Sequence, residues 1–202
     1  MVRKKVSTFL LSNLLGLFII TSCNTSRGIS NLTPAPSIPP QVISETKSLP
    51  TPLSPGQEII YKDIQVTMDQ AEITDSYPTE YGSNRVPSNG REFLWVHIII
   101  KNIGQKEQNL PTVEHFSVLS VDTEFKSTYG HRKGYKDYLD LSTVINQGVA
   151  VDAWLRFDVF TGSELKDLKF AFLPESTQVS LGFSSNEYFW ADHPIYLWNC
   201  VP

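Results

Sequence analysis

The side chains that could carry chemistry in this sequence are few, and the best cluster of them lies within residues 130–147. His131, Asp137 and Asp140 place one imidazole and two carboxylates close together in the chain. An imidazole and carboxylates can hold a metal ion that activates water, so a metal-dependent hydrolase is one interpretation of this stretch. The cluster lacks the spacing of a HExxH or CxxC motif, which favours the alternative interpretation of a solvated loop.

The other polar residues show no spacing typical of an active site. His97, His115 and His193 stand alone in the sequence. Four acidic residues near the start of the globular part could offer oxygen ligands to Ca²⁺, but they lack the spacing of a known calcium-binding loop. These residues are Asp63, Asp69, Glu72 and Asp75. We therefore expect no enzymatic activity, no metal and no cofactor.

The first 22 residues have the pattern of an export signal. Residues 3–5 are Arg-Lys-Lys, residues 6–20 are mostly apolar, and Thr21 and Ser22 follow as small residues. This order is typical of a secretory signal peptide. The apolar run is short for a membrane-spanning helix, which needs about 20 apolar residues. An uncleaved membrane anchor and an ordinary secreted form are the alternatives.

The end of this leader resembles the bacterial lipobox, in which an aliphatic residue and two small residues precede a cysteine. Here Ile20, Thr21, Ser22 and Cys23 fill those places. The resemblance implies that residues 1–22 are a lipoprotein signal peptide and that Cys23 is the first mature residue and carries the acyl chains. Two or three acyl chains hold a protein stably on a membrane, whereas one chain is marginal. The expected location is the extracytoplasmic side of the cell membrane or the outer membrane.

Cys23 and Cys200 are the only cysteines in the sequence. If Cys23 is acylated, Cys200 has no partner within the chain. We expect its thiol to be buried among the aromatic residues around it, with pairing between two chains as the alternative.

Residues 23–57 are rich in Pro, Ser and Thr, and they show no sustained hydrophobic period. Such a composition is typical of a disordered or polyproline-type linker. The chain carries 17 Lys and Arg against 21 Asp and Glu, and loss of the three basic leader residues leaves 14 against 21, a net charge of −7. Binding to nucleic acid needs a basic surface, so we expect no nucleic-acid partner.

The fold is organised around residues 91–102, with the sequence REFLWVHIIIKN. With a period of two, Leu94, Val96 and Ile98 point one way, whereas Phe93 and Trp95 point the other way. Both faces are apolar, and β-branched residues disfavour a helix here. The stretch therefore predicts a central strand that is covered on both sides.

Six further stretches alternate in the manner of strands, and none of the chain shows a sustained helical period. They are residues 60–68, 116–121, 125–129, 149–160, 168–172 and 179–183. Residues 71 and 73 continue the first of them past a bulge. About seven short strands without crossover helices predict an all-β fold, an antiparallel β-sandwich. Residues 75–90 and 130–147 are long irregular connections, the second with room for one helical turn.

Three segments together resemble the domain of unknown function DUF4352, a telokin-like group that includes the mycobacterial antigens MPT63 and MPB63. They are GREFLWVHIIIKNIGQKEQNL from Gly90, NQGVAVDAWLRFDV around Gly148, and LKDLKFAF before Pro174. The resemblance covers residues 58–185. It implies an immunoglobulin-like sandwich on an exported, often lipid-anchored bacterial protein, and it carries over no catalytic residue. The connections 75–90 and 130–147 and the tail depart from the family pattern.

Residues 186–202 form an aromatic tail that cannot remain in water without cost. One interpretation is that the tail lies over a sheet, with Phe93, Trp95 and Ile99 as the receiving surface. The other is an exposed aromatic patch for a ligand. The candidate binding surface combines the tail with the second long connection. Its residues are His131, Tyr135, Asp137, Tyr138, Tyr188 and Trp190.

The function predicted from the sequence is that of a membrane-anchored extracytoplasmic lipoprotein. It presents an immunoglobulin-like domain that binds an unidentified ligand, and a protein or a glycan of the cell envelope is the expected partner besides the membrane. A metal-dependent hydrolase and a purely structural envelope spacer are the alternatives.

Overall fold

The computed structural model describes residues 49–121, 123–176, 180–181, 188–189 and 193–202. Cys23 and the first part of the predicted linker lie outside them. The strands are β1 Glu58–Tyr61, β2 Ile64–Thr74, β3 Tyr77–Pro78, β4 Asn84–Arg85, β5 Arg91–Asn102, β6 Gln108–Asn109, β7 Phe116–Ser120, β8 Thr123–Thr128, β9 Val144–Ile145, β10 Ala150–Phe160, β11 Lys169–Phe172, β12 Ser180–Leu181, β13 Tyr188–Phe189 and β14 Tyr196–Asn199. Short 3₁₀ helices occupy Val113–His115, Tyr138–Asp140 and Leu165–Asp167.

Eight of these strands form one antiparallel sheet in the order β1-β2-β5-β10-β8-β7-β11-β14, which folds over itself into two layers. Strand β8 passes between the layers, because its first residues pair with β7 whereas Ser127 and Thr128 pair with β10. At the other edge, Leu53 bridges to Trp198 of β14 before the chain pairs with β2 through β1. The result is an immunoglobulin-like β-sandwich with both edges connected, which confirms the predicted fold class.

The central position of β5 is confirmed. It pairs with β2 on one side and with β10 on the other, from Arg91 to Lys101. Its inward residues Leu94, Val96 and Ile98 are buried in the core. The register of β2 shifts between Met68 and Gln70, which confirms the bulge and the continuation of this strand beyond it.

The prediction that the C-terminal tail lies over Phe93, Trp95 and Ile99 is wrong for residues 193–202, the end of the tail that the structure describes. Residues 196–199 instead form β14 at the edge of the sheet, beside β11. Trp198 is fully buried, and its indole N–H donates to the carbonyl of Gln57 at 2.8 Å. An aromatic segment can cover a sheet or extend it, and extension also satisfies its backbone hydrogen bonds, which composition alone cannot reveal.

The predicted linker extends less far than residue 57. The backbone N–H of Leu53 donates to Leu197 at 2.8 Å, and the carbonyl of Leu53 accepts from Asn199 at 2.8 Å. Leu49 packs against a small apolar cluster on the outer side of the second layer. The folded domain therefore includes residues 49–57 as well as the tail strand.

The outer face of β5 is covered by the two long connections. Phe93 and Trp95 pack against Tyr77 of β3, with ring centroids 5.0 and 4.9 Å from the Tyr77 ring, and Tyr135 closes the other side of Trp95 at 5.6 Å. Residues 75–90, expected to be structureless, therefore contain the short hairpin β3–β4. The predicted helical turn in residues 130–147 is confirmed as the 3₁₀ helix at Tyr138–Asp140.

Candidate functional site

A cleft of about 350 Å³ opens between the hairpin β3–β4 and the beginning of the second long connection, residues 129–131. Strand β10 supplies its floor, because Arg156 and Asp158 point outward between the buried residues of this strand. Tyr81, in the turn of the hairpin, forms one wall. The two walls are tied together, since the N–H of Lys133 donates to the carbonyl of Pro78 at 2.9 Å.

The guanidinium of Arg156 is fixed in the floor. Its Nη1 donates to the Tyr77 hydroxyl at 2.9 Å, and its Nε donates to Thr128 Oγ1 at 3.0 Å. The guanidinium carbon lies 5.0 Å from the ring centre of Phe93. Asp158 Oδ1 lies 3.5 Å from Arg156 Nε, but this buried oxygen accepts no hydrogen bond among the described residues. The floor thus holds an ion pair of Arg156 and Asp158.

Three aromatic rings stand along the walls, and the ring of His131 is nearly perpendicular to those of Tyr81 and Tyr129. The ring of His131 meets that of Tyr129 at a centroid distance of 4.3 Å and that of Tyr81 at 5.8 Å. Tyr81 is 80% exposed and Tyr129 is 47% exposed. The Tyr129 hydroxyl hydrogen-bonds His131 Nε2 and lies 3.3 Å from Asp140 Oδ1. Desolvation and the Asp140 carboxylate raise the pKa of the Tyr129 hydroxyl.

Asp137 holds the connection in shape. Its Oδ2 accepts from the N–H of Gly130 at 2.8 Å, and its Oδ1 accepts from the N–H of Leu139 at 2.9 Å. Burial raises the pKa of Asp137, and the two backbone hydrogen bonds partly oppose that shift. Both oxygens therefore act as acceptors for the loop backbone and position the wall that carries His131.

The geometry gives little support to a metal site. His131 Nδ1 lies 3.5 Å from Asp140 Oδ2, but the Asp137 carboxylate is turned to the loop backbone. Among the described residues, no three side chains of His, Cys, Asp or Glu are grouped so that they could hold a metal ion. The four acidic residues considered for Ca²⁺ also lie apart and have other partners, and Asp75 Oδ1 accepts from Ser76 Oγ at 3.0 Å. Asp63 contacts Gln108, Asp69 contacts His97, and Glu72 contacts Arg132.

The structure divides the predicted binding surface. His131 lines the cleft, whereas Tyr138 was wrongly included, because it is 5% exposed and packs on Phe116 at 5.4 Å. The Tyr138 hydroxyl donates to the carbonyl of Pro111 at 2.7 Å, and burial raises its pKa. Side chains in an irregular segment follow no simple period, so the sequence could not tell inward from outward positions.

Tyr135 serves to attach the connection to the sheet. Its ring stacks on Trp154 at 4.1 Å and under the Arg132 guanidinium at 4.0 Å, and its hydroxyl donates to Glu72. The last two residues of the predicted surface belong to the tail. Tyr188 lies in β13, and Trp190 lies outside the described residues.

The binding surface predicted from the sequence includes only His131 of the cleft and leaves out, among others, Tyr81, Tyr129, Arg156 and Asp158. Arg156 and Asp158 have the outward positions of an alternating strand, which look like ordinary solvated positions. The available signal was the length of residues 75–90 and 130–147 together with the apolar outer face of β5, which had to be covered.

Cys200 is 3% exposed, which confirms the predicted burial. Burial raises the pKa of its thiol to about 12.

Two smaller cavities, of about 200 and 190 Å³, lie on either side of Leu110 and Pro111, away from the residues that line the cleft. Within the described part of the chain, no helix has the length and apolar character needed to cross a membrane.

Comparison with known proteins places the fold. Residues 54–178, more than half of the chain, match the family model "Domain of unknown function (DUF4352)". The yjhA protein from Bacillus subtilis is 14% identical, with a TM-score of 0.50 over 72% of this chain and 97% of that chain. This likeness shows the fold alone. No curated protein matches the sequence.

Two further solved structures are similar at lower scores. An uncharacterised β-sandwich protein from Clostridium difficile is 15% identical, with a TM-score of 0.46 over 75% of this chain and 95% of that chain. The secreted protein MPT63 from Mycobacterium tuberculosis is 14% identical, with a TM-score of 0.41 over 76% of this chain and 99% of that chain.

Proposed function

The chain belongs to the DUF4352 family, and we propose that it is a lipid-anchored protein of the bacterial cell envelope whose immunoglobulin-like domain is a non-enzymatic binding module. The cleft between the hairpin β3–β4 and residues 129–131 is its binding site. One observation carries this proposal: the two long connections converge on the same face of the sheet and hold exposed aromatic rings above a fixed Arg156.

The shape of the site supports binding rather than a structural spacer role. A spacer needs only the sandwich, whereas here the connections are tied to each other and to β10, since the N–H of Trp154 donates to the carbonyl of Lys136 at 2.8 Å. The volume of about 350 Å³ falls within the range of about 300–1,000 Å³ typical of ligand sites. A preformed site loses little conformational entropy when it binds.

The anchor is proposed on the leader and on the residues before Cys23. Two acyl chains contribute about 0.8 kcal/mol for each buried CH₂ group, which is enough for stable attachment. Cells expressing the wild-type chain should incorporate labelled palmitate into the protein, and Cys23→Ala should abolish the label. Cys200→Ala is the matched control and should keep it. Label retained in Cys23→Ala would exclude attachment at this residue.

Binding is tested with the mature protein in detergent and with insoluble cell-envelope material that has been washed free of membranes. The wild-type protein should cosediment with this material. Tyr81→Ala combined with Tyr129→Ala should abolish cosedimentation, because both exposed rings of the cleft are then removed. Ile60→Ala, which removes a side chain that is 56% exposed on β1, should sediment as the wild type does. Failure of the wild-type protein to cosediment would favour a spacer, and equal cosedimentation of all three proteins would exclude the cleft as the binding site.

A further inference from the structure

We propose that the cleft binds a carbohydrate, namely a glycan chain of the cell envelope, with the rings of Tyr81 and Tyr129 against the C–H faces of its sugars. This inference rests on the proposed binding function and names the ligand class of that same site. It follows from three features of the cleft: exposed rings, a surrounding set of hydroxyl and carboxylate groups, and an arginine in the floor that is paired with a carboxylate.

The rings supply an apolar surface that the protein itself leaves uncovered. Tyr81 is 80% exposed. Its ring meets that of His131 at a centroid distance of 5.8 Å and nearly at a right angle. Tyr129 and His131 stand at 86° to one another and make a corner beside it. Tyrosine combines a flat apolar body with a polar tip, and it suits a ligand with both kinds of surface. A sugar ring has apolar C–H faces and polar edges.

The polar groups around these rings are of the kind that recognises hydroxyls. Thr79 Oγ1 and Ser83 Oγ lie 2.8 Å apart in the hairpin, and Ser88 lines the same cleft. Each hydroxyl can donate and accept, as can the hydroxyls of a sugar. The Asp158 side chain is 37% exposed and adds a carboxylate acceptor, although its Oδ1 is buried beside Arg156. A carbohydrate supplies donors and acceptors at the spacing that such a mixed set requires.

The charges of the cleft disfavour the other ligand classes. Arg156 is paired with Asp158, and Arg85 is the other arginine that lines the cleft. A polyanion would meet one arginine beyond this ion pair, and it would be repelled by a mature chain that carries a net charge of −7 once the three basic leader residues are removed. An acyl chain would have to bury Arg156 and Asp158 without giving them hydrogen bonds, which is costly. A neutral glycan meets neither obstacle.

The test uses the mature protein in detergent and purified cell-wall sacculi from which protein has been removed with protease. The wild type should bind, and Tyr81→Ala should weaken binding up to about tenfold, since an aromatic contact is worth about 0.5–1.5 kcal/mol. Tyr81→Phe keeps the ring and should stay within about threefold of the wild type. Ile60→Ala is the control and should bind as the wild type does. Soluble fragments released by a muramidase should compete.

The outcomes separate this inference from the proposed function. Binding to protease-treated sacculi that is lost in Tyr81→Ala and kept in Tyr81→Phe supports the glycan ligand. Cleft-dependent binding to untreated envelope material that disappears after protease treatment would overturn the glycan inference and leave the binding function standing, with a protein as the ligand. Binding that none of the cleft substitutions changes would overturn both.

Discussion

The sharpest test of the cleft geometry is Gly130→Ala. Gly130 lies where residues 129–131 cross the floor, and a Cβ added there would meet Arg156 Cδ at 2.9 Å and Trp95 Cη2 at 2.9 Å. Neither neighbour can withdraw easily. Trp95 is 1% exposed between Tyr77 and Tyr135, and Arg156 is held by two hydrogen bonds. The added methyl group must therefore push the wall outward.

The change in the free energy of unfolding that Gly130→Ala causes is the sum of two opposing effects. Overpacking of this kind costs about 1–3 kcal/mol. Replacing glycine by alanine also restricts the unfolded chain, which stabilises the fold by about 0.4–1 kcal/mol where the backbone allows it. With the middle of each range, about 2 and about 0.7 kcal/mol, the net loss in the free energy of unfolding is about 1.3 kcal/mol. The displacement of Tyr129 and His131 should also weaken binding to sacculi.

Denaturant unfolding with linear extrapolation measures the first effect, and cosedimentation measures the second. Gly104→Ala is the matched control, because its Cβ would lie 2.7 Å from Asp63 Cβ, in a turn that does not line the cleft. It should lose stability and keep full binding. If Gly130→Ala is as stable as the wild type, the close approach to Trp95 is refuted. If both glycine variants lose binding equally, the cleft has no special part in it.

The Cys200 thiol, with a pKa raised to about 12 by burial, should resist alkylation at pH 8 in the folded protein and react within minutes in denaturant; rapid labelling of the folded protein would contradict its burial. Trp198 is fully buried, so Trp198→Ala should lower the free energy of unfolding by about 3–5 kcal/mol. Deletion of residues 193–202 removes β14 and should prevent folding, which circular dichroism would detect. A stable truncated protein would contradict the role of β14. The pKa of Asp137 is raised in the folded state, so the folded protein binds the carboxyl proton more tightly than the unfolded chain does. Protonation of Asp137 therefore stabilises the fold fully at a pH below the ordinary pKa of 3.8. This stabilisation is lost as the pH rises through the folded pKa. The stability of the wild type relative to Asp137→Asn should therefore fall between acid and neutral pH, and a rise would contradict this sign.

The central strand could be predicted from the sequence because its information is local. Twelve residues with period-two apolar positions and several β-branched side chains allow few alternatives to a strand. The bulge of β2 was also readable, since the apolar positions change phase between Met68 and Ala71. The shape of residues 75–90 was not readable, because the short hairpin there is stabilised by Tyr77 packing on Trp95, a contact between distant parts of the sheet surface.

The cleft was predicted only in part for the same physical reason. His131 drew attention as a titratable residue, and the structure does place it in the wall. Asp137 drew attention as a potential ligand, but its role depends on backbone N–H groups that have no signature in the sequence. Arg156 was overlooked because an outward charge on an alternating strand is the common pattern of a solvated face. Only the position of the two long connections in the structure distinguishes Arg156 from an ordinary solvated charge.

The feature that links fold and site is the second apolar face of β5. A sandwich of this kind needs one buried face on each sheet, and Phe93 and Trp95 lie on the face that would otherwise meet water. Their burial stabilises whatever segment covers them, so the two long connections are drawn together above β5 and β10. The two connections cover the face as far as Phe93, and beyond it the hairpin β3–β4 and residues 129–131 lie on opposite sides of Arg156. The cleft therefore exists because the apolar face needs a cover, and its opening lies where that cover stops.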